Sequence, residues 1–159
     1  MPRGKRILKR LLRSSIDAEI AIVCGRNQKL FDFAQQIKQE TGDKRLTIYG
    51  FIDFAYELMN VSDIVITKCG ASTFMEILMS GKVPVINNYI WEQEKGNMEF
   101  VRDNQMGIYE YSIPKMVENV IRILSQHLVY AQFTANIKKA SLENGTPQVA
   151  RFILNFHSA

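Results

Sequence analysis

Apolar residues along this chain fall into blocks with two alternating rhythms. Near-continuous runs rich in β-branched residues occupy residues 18–25 (AEIAIVCG), 45–50 (RLTIYG), 63–70 (DIVITKCG), 83–88 (VPVINN) and 106–111 (MGIYEY). Glycine or amides close most of these runs, so each predicts a short buried strand. Between them, apolar residues recur at helical spacing over residues 28–40, 54–60, 73–80 and 94–104. A further helix is predicted over the opening RGKRILKRLLRSS, and from Pro114 onward the pattern is helical, with breaks at Pro114, Pro147 and the ENGTP stretch.

Strands apolar along their whole length, alternating with helices, imply a parallel sheet covered on both faces. Right-handed crossovers make that an α/β, Rossmann-like, doubly wound domain. In such sheets ligands bind beyond the carboxyl ends of the strands. That rule gathers Gly25-Arg26-Asn27, Gly50-Phe51-Ile52, Cys69-Gly70-Ala71-Ser72 and Asn87-Asn88 on one rim.

Length and composition sharpen the picture without changing it. The 159 residues suit one domain, and 47% apolar with 23% charged residues is an ordinary globular balance that argues against disorder. No apolar run reaches the roughly 18 residues a membrane span requires, and no signal-peptide pattern is visible. Cys24 and Cys69 are the two cysteines, which suits a reducing, cytoplasmic setting.

The net charge of +4 is unevenly spread: Arg3, Lys5, Arg6, Lys9, Arg10 and Arg13 all fall in the first helix, interleaved with Ile7, Leu8, Leu11 and Leu12. Such a helix suits either the surface of an anionic membrane, a peripheral attachment, or a surface position with one face on the core. The second is the ordinary use of the pattern. Nucleic-acid binding is not expected, because no aromatics are interleaved with the basic residues.

The richest chemistry lies in KCGASTFME. Gly70 is expected to permit a tight strand-to-helix turn, with Ser72 or Thr73 capping the helix. The first amides of that helix lack intrahelical partners and carry partial positive charge, a geometry suited to a diphosphate. Lys68 adds a full charge, and Glu76 sits one turn further on, where a carboxylate can take paired hydroxyls. The competing interpretation is a capping box in which Thr73 and Glu76 merely satisfy backbone donors. Neither a P-loop nor a G-x-G-x-x-G fingerprint occurs, so dinucleotide oxidoreductase chemistry has no support. Downstream, WEQEKGN opens the next helix with Gln93, Glu94 and Asn97, a set suited to sugar hydroxyls or simply to a polar helix start.

Taken together and in order, VCGRN, YGFID, MNVSDIVITKCGASTFMEILMSGKVPVI and EQEKGN resemble the nucleotide-sugar half of two-domain (GT-B) glycosyltransferases. The likeness covers roughly residues 16–111 and is strongest to monogalactosyldiacylglycerol synthase and the processive diacylglycerol glucosyltransferases. It implies a single donor-binding domain over residues 1–159, no cofactor, and UDP-glucose or UDP-galactose as the donor. Diacylglycerol would be the acceptor, reached through an acceptor domain that this chain lacks. By the same resemblance, Phe51 and Ile52 belong to the loop whose backbone pairs with uracil, and Gly70, Ala71, Ser72 and Thr73 hold the diphosphate with Lys68 nearby. Glu76 takes the ribose hydroxyls, Gln93 and Glu94 hold the hexose with Asn97 bracing them, and Asn27 matches a position near the donor.

Two departures qualify the likeness. The family's first strand and its glycine-rich loop have no counterpart; that strand would lie between residues 18–25 and 63–68. The acceptor domain and its base are also missing, so the chain alone is expected to transfer no sugar. A donor-binding subunit that requires a partner chain carrying the acceptor site is the alternative. His127 and His157 are far apart and no cluster has metal-ligand spacing, so no metal site is expected. A nucleophilic Cys69 is disfavoured for want of a nearby histidine. Trp91 either walls a cleft or packs its own loop, and Tyr130, Phe133, Phe152 and Phe156 recur at helical spacing as expected core residues.

Overall fold

The computed structural model describes residues 3–156. Helices and strands alternate as predicted: α1 (Arg3–Leu12), β1 (Ile20–Val23), α2 (Gln28–Thr41), β2 (Leu46–Tyr49), α3 (Ala55–Asn60), β3 (Ile64–Lys68), α4 (Ala71–Met79), β4 (Val83–Asn88), α5 (Lys95–Asp103) and β5 (Ile108–Tyr109). Three helices follow, α6 (Ile113–Ser125), α7 (His127–Lys139) and α8 (Thr146–Phe156).

All strand pairing is parallel, but it forms two ladders rather than one. β1 pairs with β2 in the register Ile20 to Leu46 through Val23 to Tyr49. The second ladder has the order β3-β4-β5, starting with Ile64 opposite Val83 and carrying an irregularity between Thr67 and Lys68. The expected gap therefore falls between β1 and β3. Burial follows from it: Val83 through Ile86 of β4 are fully buried, whereas β3 stays part-exposed along its length. A strand with neighbours on both edges and helices on both faces loses all contact with water; a strand with a bare edge does not.

α1 holds the two ladders together. Leu8 packs with Ala34 and Leu46 beneath β1 and β2, while Leu11 joins the larger core with Val83, Val85 and Ile86. Its cations Arg6, Lys9 and Arg10 are exposed, as is Arg13 just past its end, so α1 is a surface helix with its apolar face on the core. Arg45, just before β2, donates to the carbonyl oxygens of Leu12 (3.0 Å) and Ile16 (2.6 Å) and closes the far end of α1 over the sheet. At the near end Arg3 donates to Asn87 Oδ1 (3.0 Å) and to the Tyr111 carbonyl, with its guanidinium 4.2 Å from the Tyr111 ring centre.

Several expectations are corrected. α4 begins at Ala71 with Gly70 as its N-cap, so neither Ser72 nor Thr73 caps it. Pro114 lies in the first turn of α6, where its missing N–H costs nothing, and so starts that helix rather than interrupting one. The break that separates α6 from α7 instead falls at Gln126, which adopts an extended conformation (φ −115°, ψ 91°). Tyr130 and Phe133 pack partly buried against the core, but Phe152 and Phe156 are 69% and 73% exposed, because α8 lies off the core with none of its residues buried. No helix among the described residues is long and apolar enough to cross a membrane.

Candidate functional site: a rim of loops around the start of helix α4

The loops after β3 and β4 meet. Asn97, in the first turn of α5, donates its side-chain amide to the Cys69 carbonyl at 3.2 Å. Glu94, the residue before α5, is only 8% exposed; its Oε2 accepts the Ile90 N–H at 2.7 Å, and its Oε1 stands 3.8 Å from Lys68 Nζ. Backbone bonds from Gln93 to Trp91 and from Glu94 to Ile90 tighten the same loop, and Glu92 takes a left-handed conformation within it (φ 66°). Trp91 stacks on Tyr89 with ring centres 5.9 Å apart, yet remains largely exposed. Lys68, Gly70, Glu94 and Asn97 are thus drawn into one cluster. The Lys68–Glu94 pair lies partly in solvent and adds little stability on its own.

α4 opens beside this cluster. Phe74 returns its N–H to Gly70, the first bond of the helix, leaving the amides of Ala71, Ser72 and Thr73 as the unpaired donors of its first turn. No side chain caps them. Thr73 and Glu76 make no capping-box bond; the side chain of Glu76, half-buried in the second turn, has no hydrogen-bond or ion-pair partner among the described residues, although its backbone carbonyl accepts from Ser80. A part-exposed carboxylate thus follows, one turn on, three amides that no side chain caps. It is equipped for a ligand carrying both anionic and hydroxyl groups.

Gly70 has a different significance from the one its position suggested. Its backbone (φ −66°, ψ 132°) is open to any residue, so the turn does not require glycine. An added Cβ would meet Glu94 Oε1 at 3.5 Å and Lys68 Cε at 3.7 Å, both ordinary contacts. What glycine supplies here is bare backbone at the mouth of the helix, where a ligand can approach.

The other predicted residues occupy the same rim at the ends of β1 and β2. Asn27 caps α2, accepting the Leu30 N–H at 3.1 Å, so its side chain has a structural task. Phe51 is 69% exposed, with the Arg26 guanidinium 5.1 Å from its ring centre, while Ile52 is half-buried beside it. Gln93 is exposed. Two cations on this edge acquire roles that the sequence did not reveal. Arg3 was visible only as one of a basic run, and Arg26 gained its aromatic partner through the pairing of β1 with β2.

Cys69 is fully buried, and burial, with the Glu94 carboxylate behind it, pushes its thiol up to about 11. At neutral pH it stays protonated, which argues against nucleophilic chemistry. His127 is exposed at the start of α7; His157 lies outside the described residues.

The glycosyltransferase family 28 C-terminal domain matches residues 5–149. A processive diacylglycerol beta-glucosyltransferase of Bacillus subtilis is 28% identical over 86% of this chain and 35% of its own length. Monogalactosyldiacylglycerol synthase 1 of Arabidopsis thaliana is 34% identical over 65% of this chain and 19% of its own length. A probable monogalactosyldiacylglycerol synthase of Nicotiana tabacum is 32% identical over 65% and 18%, respectively. The chain therefore spans well under half the length of these relatives. Among solved structures, WaaG, a glycosyltransferase involved in lipopolysaccharide biosynthesis, superposes with a TM-score of 0.66 over 94% of this chain and 42% of its own, at 14% identity, a likeness of fold. With a parallel α/β rim built around an open helix start and a family match over nearly its whole length, this chain belongs to the glycosyltransferase family 28 C-terminal domains.

Proposed function

We propose that this chain binds a uridine diphosphate hexose and is the donor half of a glycosyltransferase acting on diacylglycerol. The observation that carries the reading is the start of α4: three unpaired amides, a bare Gly70 and the unpartnered carboxylate of Glu76 one turn on. The amides of Ala71, Ser72 and Thr73 take the diphosphate, with Lys68 in support, and Glu76 takes the ribose hydroxyls. Main-chain groups of Phe51 and Ile52 pair with the uracil. Gln93 and Glu94 hold the hexose, and Asn97 keeps their loop against Cys69.

The chemistry follows from charge. As the hexose passes to an acceptor hydroxyl, the departing diphosphate gains negative charge. A helix start already aimed at it stabilises that charge without reorganising. Glu94 is loaded by Ile90 and Lys68 in this structure, so its Oε1, facing the turn, is the oxygen available to a sugar hydroxyl. Deprotonating the acceptor needs a base that none of these residues supplies, so the chain by itself turns over no sugar.

Calorimetric titration with UDP, UDP-glucose and UDP-galactose tests the reading. Saturable binding of UDP, tightened by one of the two hexoses, is expected. No heat with any of the three rejects it, and hexose transfer to diacylglycerol by this chain alone rejects its inactivity. The bare edges of β1 and β3 favour a second reading: a donor-binding subunit completed by a partner chain that carries the acceptor site.

A further inference from the structure

We propose that Trp91 and Glu92, together with Gln93, form a rigid pyranose-recognition tip. Trp91 stacks on the apolar face of a sugar ring, while Glu92 and Gln93 take its hydroxyls. Glu94 fastens the tip twice: its N–H donates to the Ile90 carbonyl at 2.9 Å, and its Oε2 accepts the Ile90 N–H at 2.7 Å. Inside that clasp the Gln93 N–H reaches the Trp91 carbonyl at 2.8 Å, and Glu92 is turned into the left-handed region (φ 66°). Residues 91–93 are thus held in one backbone shape with all three side chains exposed.

The aromatic plate is built as firmly. Trp91 lies against Tyr89 with ring centres 5.9 Å apart and planes 27° from parallel, and Tyr89 meets Tyr109 edge-on at 5.3 Å. Both tyrosines pack on the main core, so the indole rests on a backing rooted in the fold. Yet Trp91 is 64% exposed. A large ring supported but not covered offers its surface to a ligand. The Lys95 ammonium stands 5.4 Å from the indole centre and 3.6 Å from Glu99 Oε1, which holds that flexible end aside.

Glu92 supplies a second, independent sign. The left-handed region is strained for a residue with a side chain and is ordinarily given to glycine. Glycine would make the same turn without strain, so a glutamate here has a use outside the turn. Its carboxylate, like the Gln93 amide, has no hydrogen-bond or ion-pair partner among the described residues.

An aromatic face beside a carboxylate and an amide fits one ligand class best. The C–H bonds of a pyranose face carry partial positive charge and settle on the negative face of an indole. Its hydroxyls donate to the carboxylate and exchange bonds with the amide. A phosphate is repelled by Glu92, and a purely apolar ligand leaves both polar groups idle. The inference rests on the donor reading for its sugar, the hexose of the nucleotide. A sugar borne by the acceptor has the same chemistry, and titration separates the two sources.

Trp91 is the single tryptophan of the chain, so its emission reads the tip alone. With the whole chain, UDP leaves the emission maximum in place, and UDP-glucose or UDP-galactose moves it to shorter wavelength as the ring is covered. Methyl β-glucopyranoside, added with or without UDP, gives the shift instead where the sugar belongs to the acceptor. Whichever sugar gives the shift, Trp91→Ala weakens it about tenfold by calorimetry, and Trp91→Tyr, which keeps a plate, retains most of the affinity. Glu92→Gly relieves the strained turn, so the urea midpoint does not fall while the same sugar binds more weakly. An emission maximum unmoved by both UDP-hexoses and by the glycoside overturns the proposal, as does a shift with UDP as large as with its hexoses. Unchanged sugar affinity in Trp91→Ala, or a lowered midpoint in Glu92→Gly, does the same. UDP that binds without any sugar moving Trp91 sinks this inference and spares the donor reading. A glycoside that moves Trp91 in a chain deaf to UDP does the reverse.

Discussion

Asn97 donates its side-chain amide to the carbonyl of Cys69, tying two loops 28 positions apart in the chain into one structure. Asn97→Ala strips a sheltered carbonyl of its partner, at a cost of about 1–3 kcal/mol. For a domain of this size that lowers Tm by roughly 2–12 °C. Thermal unfolding by circular dichroism measures it, and an unchanged Tm means the bond does not hold the loops.

Gly70 separates fold from ligand. Because its backbone suits any residue and an added Cβ meets only ordinary contacts, Gly70→Ala leaves stability within about 1 kcal/mol of the parent. The same methyl group stands over the open start of α4, where it weakens UDP at least tenfold. Paired denaturation and calorimetry check both halves; a large stability loss would show that glycine is there for the turn after all.

Glu76 is the complementary case. It has no partner to lose, so Glu76→Ala leaves unfolding nearly unaltered, while UDP loses a charge-assisted contact of about 1.5–3 kcal/mol. That is a drop in affinity of roughly tenfold to a hundredfold. Unchanged UDP affinity removes Glu76 from the ribose role.

Cys69 carries a pH signature. In the unfolded chain a thiol releases its proton near about 8.5, whereas in the folded chain burial and Glu94 hold it to about 11. The raised value means the folded state keeps a proton the unfolded state has lost, so its stabilising contribution is complete below about pH 8 and declines as pH rises toward 11. Alkylation by iodoacetamide at pH 8 is correspondingly much slower in the native protein than in urea. Equal rates would show that the thiol is not sheltered.

Much of the architecture was readable from local pattern. Apolar runs closed by glycine or amides mark the five strands, and helical spacing marks the helices between them, because each element must bury its own apolar positions. Boundaries and fine roles were less accessible. The actual cap of α4 at Gly70, the break at Gln126 and the exposure of Phe152 and Phe156 depend on neighbours that periodicity does not reveal. The rim was predictable from the sheet rule, but the clasp of Glu94 on Ile90 and of Asn97 on Cys69 was not, since a side chain's hydrogen-bond partner is chosen in space.

By itself the sequence determined which segments become strands and helices, that the strands run parallel, and that glycine, amides and acids collect at their carboxyl ends. Those are consequences of periodicity and handedness, which act over a few residues at a time. Tertiary structure alone decided that the sheet stays divided between β1 and β3, and that α1 bridges the division with Leu8 on one side and Leu11 on the other. It also decided that Glu76 is left without a partner while Glu94 is engaged. Those outcomes rest on the pairing of groups far apart in the chain, where the bonds made elsewhere settle what remains free.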